Sequence, residues 1–323
     1  MRALVITVAA VMLASTVQID RVSMSPLQAQ DRVAGIIAET RKALGGPDKI
    51  AGLKGLTAEG PFRRSMGGRD MEGTSTLTIV RPDKMRRVDE LAMGGMVGGP
   101  VIERTSVLAG NTAWDDTANR GGMGGGMRIM INDGPPPPPG GGPAPTPEQM
   151  NEVRVRRMKI QLHRLMAALV AEGPQPWVDA GVAESPDGKA DILEAKEENG
   201  RLLRLFIDQV THLPLMVQYQ DPKPMIMMAG GPGGAGGAGG AARGPGGPPP
   251  MTEEEREKRL AEMRRTPPQL GTYAMHLGDY KKVDGVMLPH KIDISLDGEP
   301  NEEWTVEKYK VNPTIKADTW EKK

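Results

Sequence analysis

GTYAMHLGDYKKVDGVMLPHKIDISLDGEPNEEWTVEKYKVNP, residues 271–313, is the stretch that decides the fold class. Within it Val286, Leu288, Ile292, Ile294 and Leu296 fall on one parity, with His290 among them. Met287, Pro289, Lys291, Asp293 and Ser295 fall on the other. A period of two belongs to a strand with one dry face and one wet face. Asp284-Gly285 precedes this run and Asp297-Gly298 follows it. Both are turn dipeptides, because Gly accepts positive φ and Asp tolerates it. The stretch therefore predicts a three-strand antiparallel meander over about 272–280, 286–296 and 303–311. In the last strand Trp304 and Val306 share one parity while Tyr309 and Val311 share the other. A bulge near Glu307-Lys308 accounts for the switch.

The rest of the chain extends this sheet. Alternation over 71–80 sets Leu77 and Ile79 against Thr74, Thr76 and Thr78. Further strands are expected over 53–62, 85–91 and 101–109, and Asn111 to Trp114 closes that series. After a helix come strands over 177–183, 190–195, 201–208 and 215–220, with Asn199-Gly200 as a hairpin signal. Two helices accompany the strands. Val33, Ile36, Ile37, Thr40 and Leu44 lie near helical spacing, and Gly45-Gly46-Pro47 stops that helix. In the second, Thr146 and Gln149 form a capping box, Pro147 fits the first helical position, and Met158, Leu162, Leu165, Met166, Leu169 and Val170 make an apolar stripe. The expected fold is α+β: a curved antiparallel sheet of about ten strands, an open half-barrel, with helices across the concave face.

Composition sets the limits on function. The 323 residues carry 41 basic and 41 acidic side chains, so net charge favours no nucleic acid. Cysteine is absent, which excludes disulfides, thiolate metal sites and thiol catalysis. Gly (42) and Pro (29) make up more than a fifth of the chain and cluster in two tracts. These read as inserts, at about 116–146 and 222–268, too rich in Gly and Pro to pack as regular structure. The second contains a charged helix over 252–265, with a capping box at Thr252 and Glu255 and only Leu260 and Met263 as an apolar stripe, expected to stand in solvent. Met1-Arg2 followed by the small apolar run Ala3–Ala14 reads as a secretory signal peptide, with cleavage after Ala29 or, alternatively, Ala14. An uncleaved anchor is disfavoured because the run is too short to span a bilayer, and no later run reaches that length. Residues 30–323 are then one domain interrupted by the two inserts.

No constellation for chemistry stands out. There is no HExxH, nucleophile elbow, phosphate loop or dinucleotide fingerprint. His276 and His290 could meet near Asp279 on neighbouring strands, but strand histidines are more commonly satisfied structural residues. Asp115-Asp116 and Glu253-Glu254-Glu255 read as a turn and a helix start facing water. Methionines recur in Gly-rich context at Met66, Met71, Met93, Met96, Met123, Met127, Met130, Met225, Met227 and Met228. Thioethers suit Cu(I), but Met is also flexible apolar filler. Arg154, Arg156, Arg157, Lys159 and Arg164 form a basic helix flank, by default a solvated face and otherwise a contact for an anionic lipid or an acidic partner. The strongest candidate site is the dry face of the strands, with Leu77, Ile79, Leu203, Leu205, Ile207, Leu215, Val217, Ile292 and Ile294 lining a cavity or a filled core.

Several ordered fragments carry a resemblance. They are Ala43-Leu44-Gly45-Gly46 with Lys49 and Ile50, and Leu53-Lys54-Gly55-Leu56. Arg81-Pro82-Asp83-Lys84-Met85-Arg86 and Gly110-Asn111-Thr112-Ala113-Trp114 follow, then Asp208, Thr211, Leu213-Pro214 and Val217. Last come Asp279-Tyr280, Val283-Asp284-Gly285-Val286, Leu288-Pro289 with Ile292, and Val311-Asn312-Pro313. In this order they resemble the periplasmic lipoprotein-carrier superfamily of outer-membrane lipoprotein-sorting proteins and their receptor. The resemblance implies an open half-barrel that holds acyl chains or other apolar groups, and a periplasmic location. No functional residue of that family maps onto this sequence. The expected function is a secreted, non-enzymatic protein without cofactor or metal that shields a lipid, a lipoprotein acyl chain or another apolar ligand. The alternatives are an envelope scaffold working through its inserts and charged helix, or a Met-rich copper-binding protein.

Overall fold

The computed structural model describes residues 26–66, 69–92, 101–120, 129–131, 146–170, 176–186, 188–223, 226–228 and 269–322. The expected signal peptide up to residue 25, most of both inserts and the segment 252–265 lie outside them, while residues 26–29 of the expected peptide open helix α1. Helix α1 (Pro26–Ala43) and the short α2 (Pro47–Ala51) lead into β1 (Gly55–Met66), β2 (Arg69–Val80), β3 (Lys84–Ala92), β4 (Val101–Ala109), β5 (Thr112–Arg120) and β6 (Ile129–Ile131). Helix α3 (Pro147–Val170) precedes β7 (Val178–Ser185), β8 (Gly188–Lys196), β9 (Leu202–Asp208), β10 (Pro214–Pro222) and β11 (Ile226–Met228). The chain closes with β12 (Leu270–Val283), β13 (Val286–Leu296), β14 (Glu299–Thr305), β15 (Lys308–Val311) and one 3-10 turn (Ala317–Trp320).

Thirteen strands form one antiparallel sheet, in the order β5-β4-β3-β2-β1-β14-β13-β12-β10-β9-β8-β7, with β15 also on β1. The sheet is open, because β5 and β7 are its two ends. The strand count exceeds ten partly because β5 runs on to Arg120, into the first expected insert. The inserts are also not wholly irregular: β6 and β11, one from each, pair antiparallel with Met130 opposite Met227.

The turns follow the dipeptides. Asp284-Gly285 and Asp297-Gly298 both have positive φ at both positions, as two-residue hairpins require. The last strand is indeed broken. Trp304 lies opposite Phe62, but Lys308 lies opposite Glu59, so four residues on one strand match three on the other. Gly60 sits inside this bulge, where a Cβ would fall 1.9 Å from the Thr305 carbonyl oxygen. Only glycine lets the strands approach this closely.

The curvature can be read from α3. Arg154 meets Asp115 on β5, and Arg164 meets Asp221 on β10. Ten residues of helix span about 15 Å. Flat, β5 and β10 would be eight strand spacings apart, about 38 Å. The sheet must therefore wrap around α3. Side chains from α1, α3 and strands on both sides of the sheet's centre form one buried apolar cluster on that concave face. The C-terminal end of α1 plugs one end of the trough. Met287 donates its backbone N–H to the Leu44 carbonyl, and Gly45 and Gly46 take positive φ to turn the chain beneath it.

Candidate functional site

The concave face is apolar at its middle. Leu56, Ala58, Leu77, Met275, Leu277, Ile292, Trp304 and Tyr309 from the central strands face Leu165 and Ala168 of α3 across a small pocket. Its enclosed part admits about one water molecule, so the trough is shut in this conformation. Of the expected lining residues, Leu77 and Ile292 border this pocket and Ile79 borders a second one beside Leu53 and Met166. Leu203, Leu205, Ile207 and Val217 are fully buried in the same core, and Ile294 packs against it half-buried. Leu215 does not join them: it is 39% exposed, because a bulge between Pro214 and Met216 takes it out of the alternation. Leu56, Met275 and Leu277 escaped the sequence reading although they carry the same two-residue period.

Polar contacts fasten α3 across the trough at both ends. The capping box forms as the sequence requires, with Thr146 N–H donating to Gln149 and Gln149 N–H donating to the Thr146 hydroxyl. Arg154 and Arg157 converge on Asp115, Lys159 reaches Asn111, and Arg156 donates to the Glu198 carbonyl. Asn151 and Arg154 engage the backbone N–H and C=O of Ala113, which closes part of the β5 edge. Farther along, Arg164 is 3% exposed and donates to both oxygens of Glu197, at 2.6 and 2.8 Å, and to Asp221 at 2.8 Å. Its guanidinium lies 3.9 Å from the centre of the Tyr219 ring, which stacks on Tyr273. The basic flank is therefore not simply a solvated face, although Arg156 remains exposed. It is the helix's attachment to the sheet.

Next to this attachment the sheet carries a second ionic group. Arg64 and Arg87 share Glu302, at 2.8 and 2.6 Å, and Arg87 also donates to Asp89 at 2.8 Å. Ser75 donates to Asp89 at 2.6 Å. Both guanidiniums lie about 5 Å from the Phe62 ring. Burial opposes ionisation of Asp89 and Glu302, but the facing guanidiniums outweigh it and hold both carboxyls below their usual range. Register places both groups toward the same end of the sheet, since Tyr219 lies opposite Tyr273, Tyr273 opposite Leu296, and Glu302 opposite Ile294. Together they make a polar collar at the end of the trough opposite the α1 plug. A signal for it was present in the sequence. Arg64 is in phase with buried Phe62, Arg87 and Asp89 with Met85 and Leu91, and Glu302 with Trp304.

The histidines do not assemble. His290 is buried beside Tyr309, whereas His276 pairs in register with Asp293 on the opposite face, and Asp279 is bound to Lys281. Among the described residues no group of three or more His, Asp or Glu side chains could hold a metal ion. Met71 packs against the core, while Met93, Met96, Met123, Met127 and Met225 lie outside the described residues. No described helix is long and apolar enough to cross a membrane.

No protein-family model matches the sequence, and a search of curated proteins finds no match. Solved structures do resemble it. A DUF1329 family protein from Desulfovibrio piger is 10% identical, with 90% of this chain and 97% of that one covered and a TM-score of 0.40. A putative outer membrane lipoprotein-sorting protein domain from Vibrio parahaemolyticus is 10% identical over 88% and 94%, with a TM-score of 0.40. A LolA superfamily protein from Nitrosomonas europaea is 8% identical over 91% and 97%, with a TM-score of 0.41.

Proposed function

We propose that this chain is a non-enzymatic carrier of the bacterial envelope that takes an apolar ligand, such as an acyl chain, beneath α3. The carrying observation is the division of labour around α3. Its underside faces an apolar trough, while its ends are held by ion pairs and hydrogen bonds to β5, the turn after β8 and β10. Polar attachments can exchange with water when the helix lifts, whereas the apolar floor then needs a new cover. An inserted acyl chain supplies that cover at about 0.8 kcal/mol per buried methylene. The closed trough is the unloaded state. The signal peptide over 1–29 delivers the single domain over 30–323 to the periplasm.

The test uses the protein purified from a bacterial envelope, by native mass spectrometry, and then offered a fluorescent fatty acid. Saturable uptake near one equivalent, faster in Arg164→Met, is the expected result. No adduct and no uptake by either protein would overturn the reading. So would uptake insensitive to Ala168→Phe, which fills the space between α3 and the floor.

A further inference from the structure

The floor of the trough holds a polar atom with nothing to bond. His290 shares the inward face of β13 with Leu288 and Ile292 and is 9% exposed. Its ring meets Tyr309 edge-on, with the ring centres 5.1 Å apart. Its Nε2 is buried and has no hydrogen-bond partner among the described residues. Leaving such a group unpaired costs the full loss of its hydration, so folded proteins rarely carry one without a use. The polar groups around it are engaged elsewhere. The Tyr309 hydroxyl donates to the Pro289 carbonyl at 2.6 Å, and the Tyr280 hydroxyl donates to the Pro214 carbonyl at 2.8 Å. The His290 carbonyl itself accepts the Val306 N–H at 2.8 Å. A buried water would serve poorly, because it needs about two to four polar partners and the walls here are apolar.

The position of His290 supplies the use. Ile292, about 7 Å further along the strand, and Tyr309 both line the pocket beneath α3. On the other side Leu288 and Val286 are buried, and Met287 holds the Leu44 carbonyl of the α1 plug. His290 therefore stands between pocket and plug, at the closed end of the trough. The collar lies at the other end, level with Ile294, the register partner of Glu302. We infer that His290 is a specificity-determining residue, whose Nε2 bonds a neutral oxygen, a hydroxyl or an ester carbonyl, at the inner end of the bound chain. This rests on the carrier reading above and narrows its ligand to an apolar chain that bears an oxygen function, as distinct from a plain hydrocarbon. A carboxylate does not fit at this depth, because Leu288, Ile292 and Val306 offer a charge no compensation. A neutral imidazole meets either neutral group: Nε2–H donates to a carbonyl, and a hydroxyl can accept from Nε2–H or donate to a bare Nε2.

The test titrates octane, 1-octanol and methyl octanoate into the full-length exported protein and into its His290→Leu variant, by calorimetry. The variant should bind 1-octanol and methyl octanoate about five- to tenfold more weakly and octane as well as before. A loss confined to the alcohol marks a hydroxylated chain, and a loss confined to the ester marks an acyl ester; either supports the inference. Equal changes for all three probes, or none, overturn it while leaving the carrier reading intact. An unsubstituted protein that binds none of the three overturns both. Thermal unfolding without any probe gives an independent reading. His290→Leu removes a polar atom that has no partner, so Tm should rise by about 2–4 °C. A variant that unfolds at a lower temperature, or does not fold, would show Nε2 to be already paired and would overturn the inference.

Discussion

Removing Arg164 should release the collar end of α3. Its side chain is 4% exposed and its main partner Glu197 3% exposed. Arg164→Met leaves Glu197 buried with only the Asn199 amide as a side-chain partner. Deleting one member of a buried pair costs about 3–5 kcal/mol, most of it the penalty of the abandoned charge. Loss of the contact with Tyr219 adds about 1 kcal/mol. Glu197→Met should cost less, because Asp221 still faces the guanidinium. The informative protein is the double variant. With both charges gone, the site is nearly neutral to apolar filling, so the double variant should be more stable than Arg164→Met alone. Urea unfolding of the four proteins gives the coupling energy, expected to exceed about 2 kcal/mol, provided the slopes agree. Hydrogen exchange in α3 should rise in Arg164→Met and fall back in the double variant. Additivity within about 0.5 kcal/mol would refute the argument, since the pair would then be an incidental contact.

Other outcomes follow from the same geometry. Gly73→Ala should cost more than about 4 kcal/mol or prevent folding, because a Cβ would sit 1.7 Å from the Glu90 carbonyl oxygen; Gly298→Ala, with open space around it, should cost only the roughly 1–2 kcal/mol of its positive φ, and thermal unfolding of both compares them. Asp89 and Glu302 have folded pKa values below their unfolded ones, so their stabilisation is complete above about pH 5 and is lost as pH falls through the depressed values. Asp89→Asn with Glu302→Gln should therefore lower stability at pH 7 yet flatten its decline between pH 5 and 2, and an equally steep decline would count against the collar's role. Thr146→Ala should cost about 1 kcal/mol through the lost cap, visible as faster exchange in the first turn of α3.

The strands were legible because alternation reports directly on a half-buried sheet. The meander, both Asp-Gly hairpins and the break after Val306 all follow from parity and turn chemistry. Leu215 was misplaced because Pro214, which stands at the bulge, also reads as the end of the preceding turn and so hides the shift in parity. The collar was overlooked for a different reason. Charges at Arg64, Arg87, Asp89 and Glu302 lie on three separate stretches of sequence, and their pairing depends on strand order, which alternation does not encode. Arg164 shows the same limit. On a helical wheel it belongs to the charged flank, and only the wrap of the sheet brings Glu197 and Asp221 up to meet it. A curved sheet was expected; which strands the curve carries up against α3 was the missing quantity, and that depends on strand order.

The first and last strands meet at the centre of this sheet. One edge of β1 pairs with β2, but the other waits for β14 and β15, with Leu56 opposite Val311. During synthesis at about 5–20 residues per second, the chain must lengthen by some 255 residues before that pairing can form, a delay of roughly 10–50 s. Until then the N-terminal half is a growing sheet with an unsatisfied inner edge, and the contacts that complete it are among the most distant in the sequence. Folding is thus held open until β14 and β15 have emerged. A binding factor that occupies the free edge of β1 in that interval would keep the whole polypeptide extended, and release would let the centre zip shut in one late step.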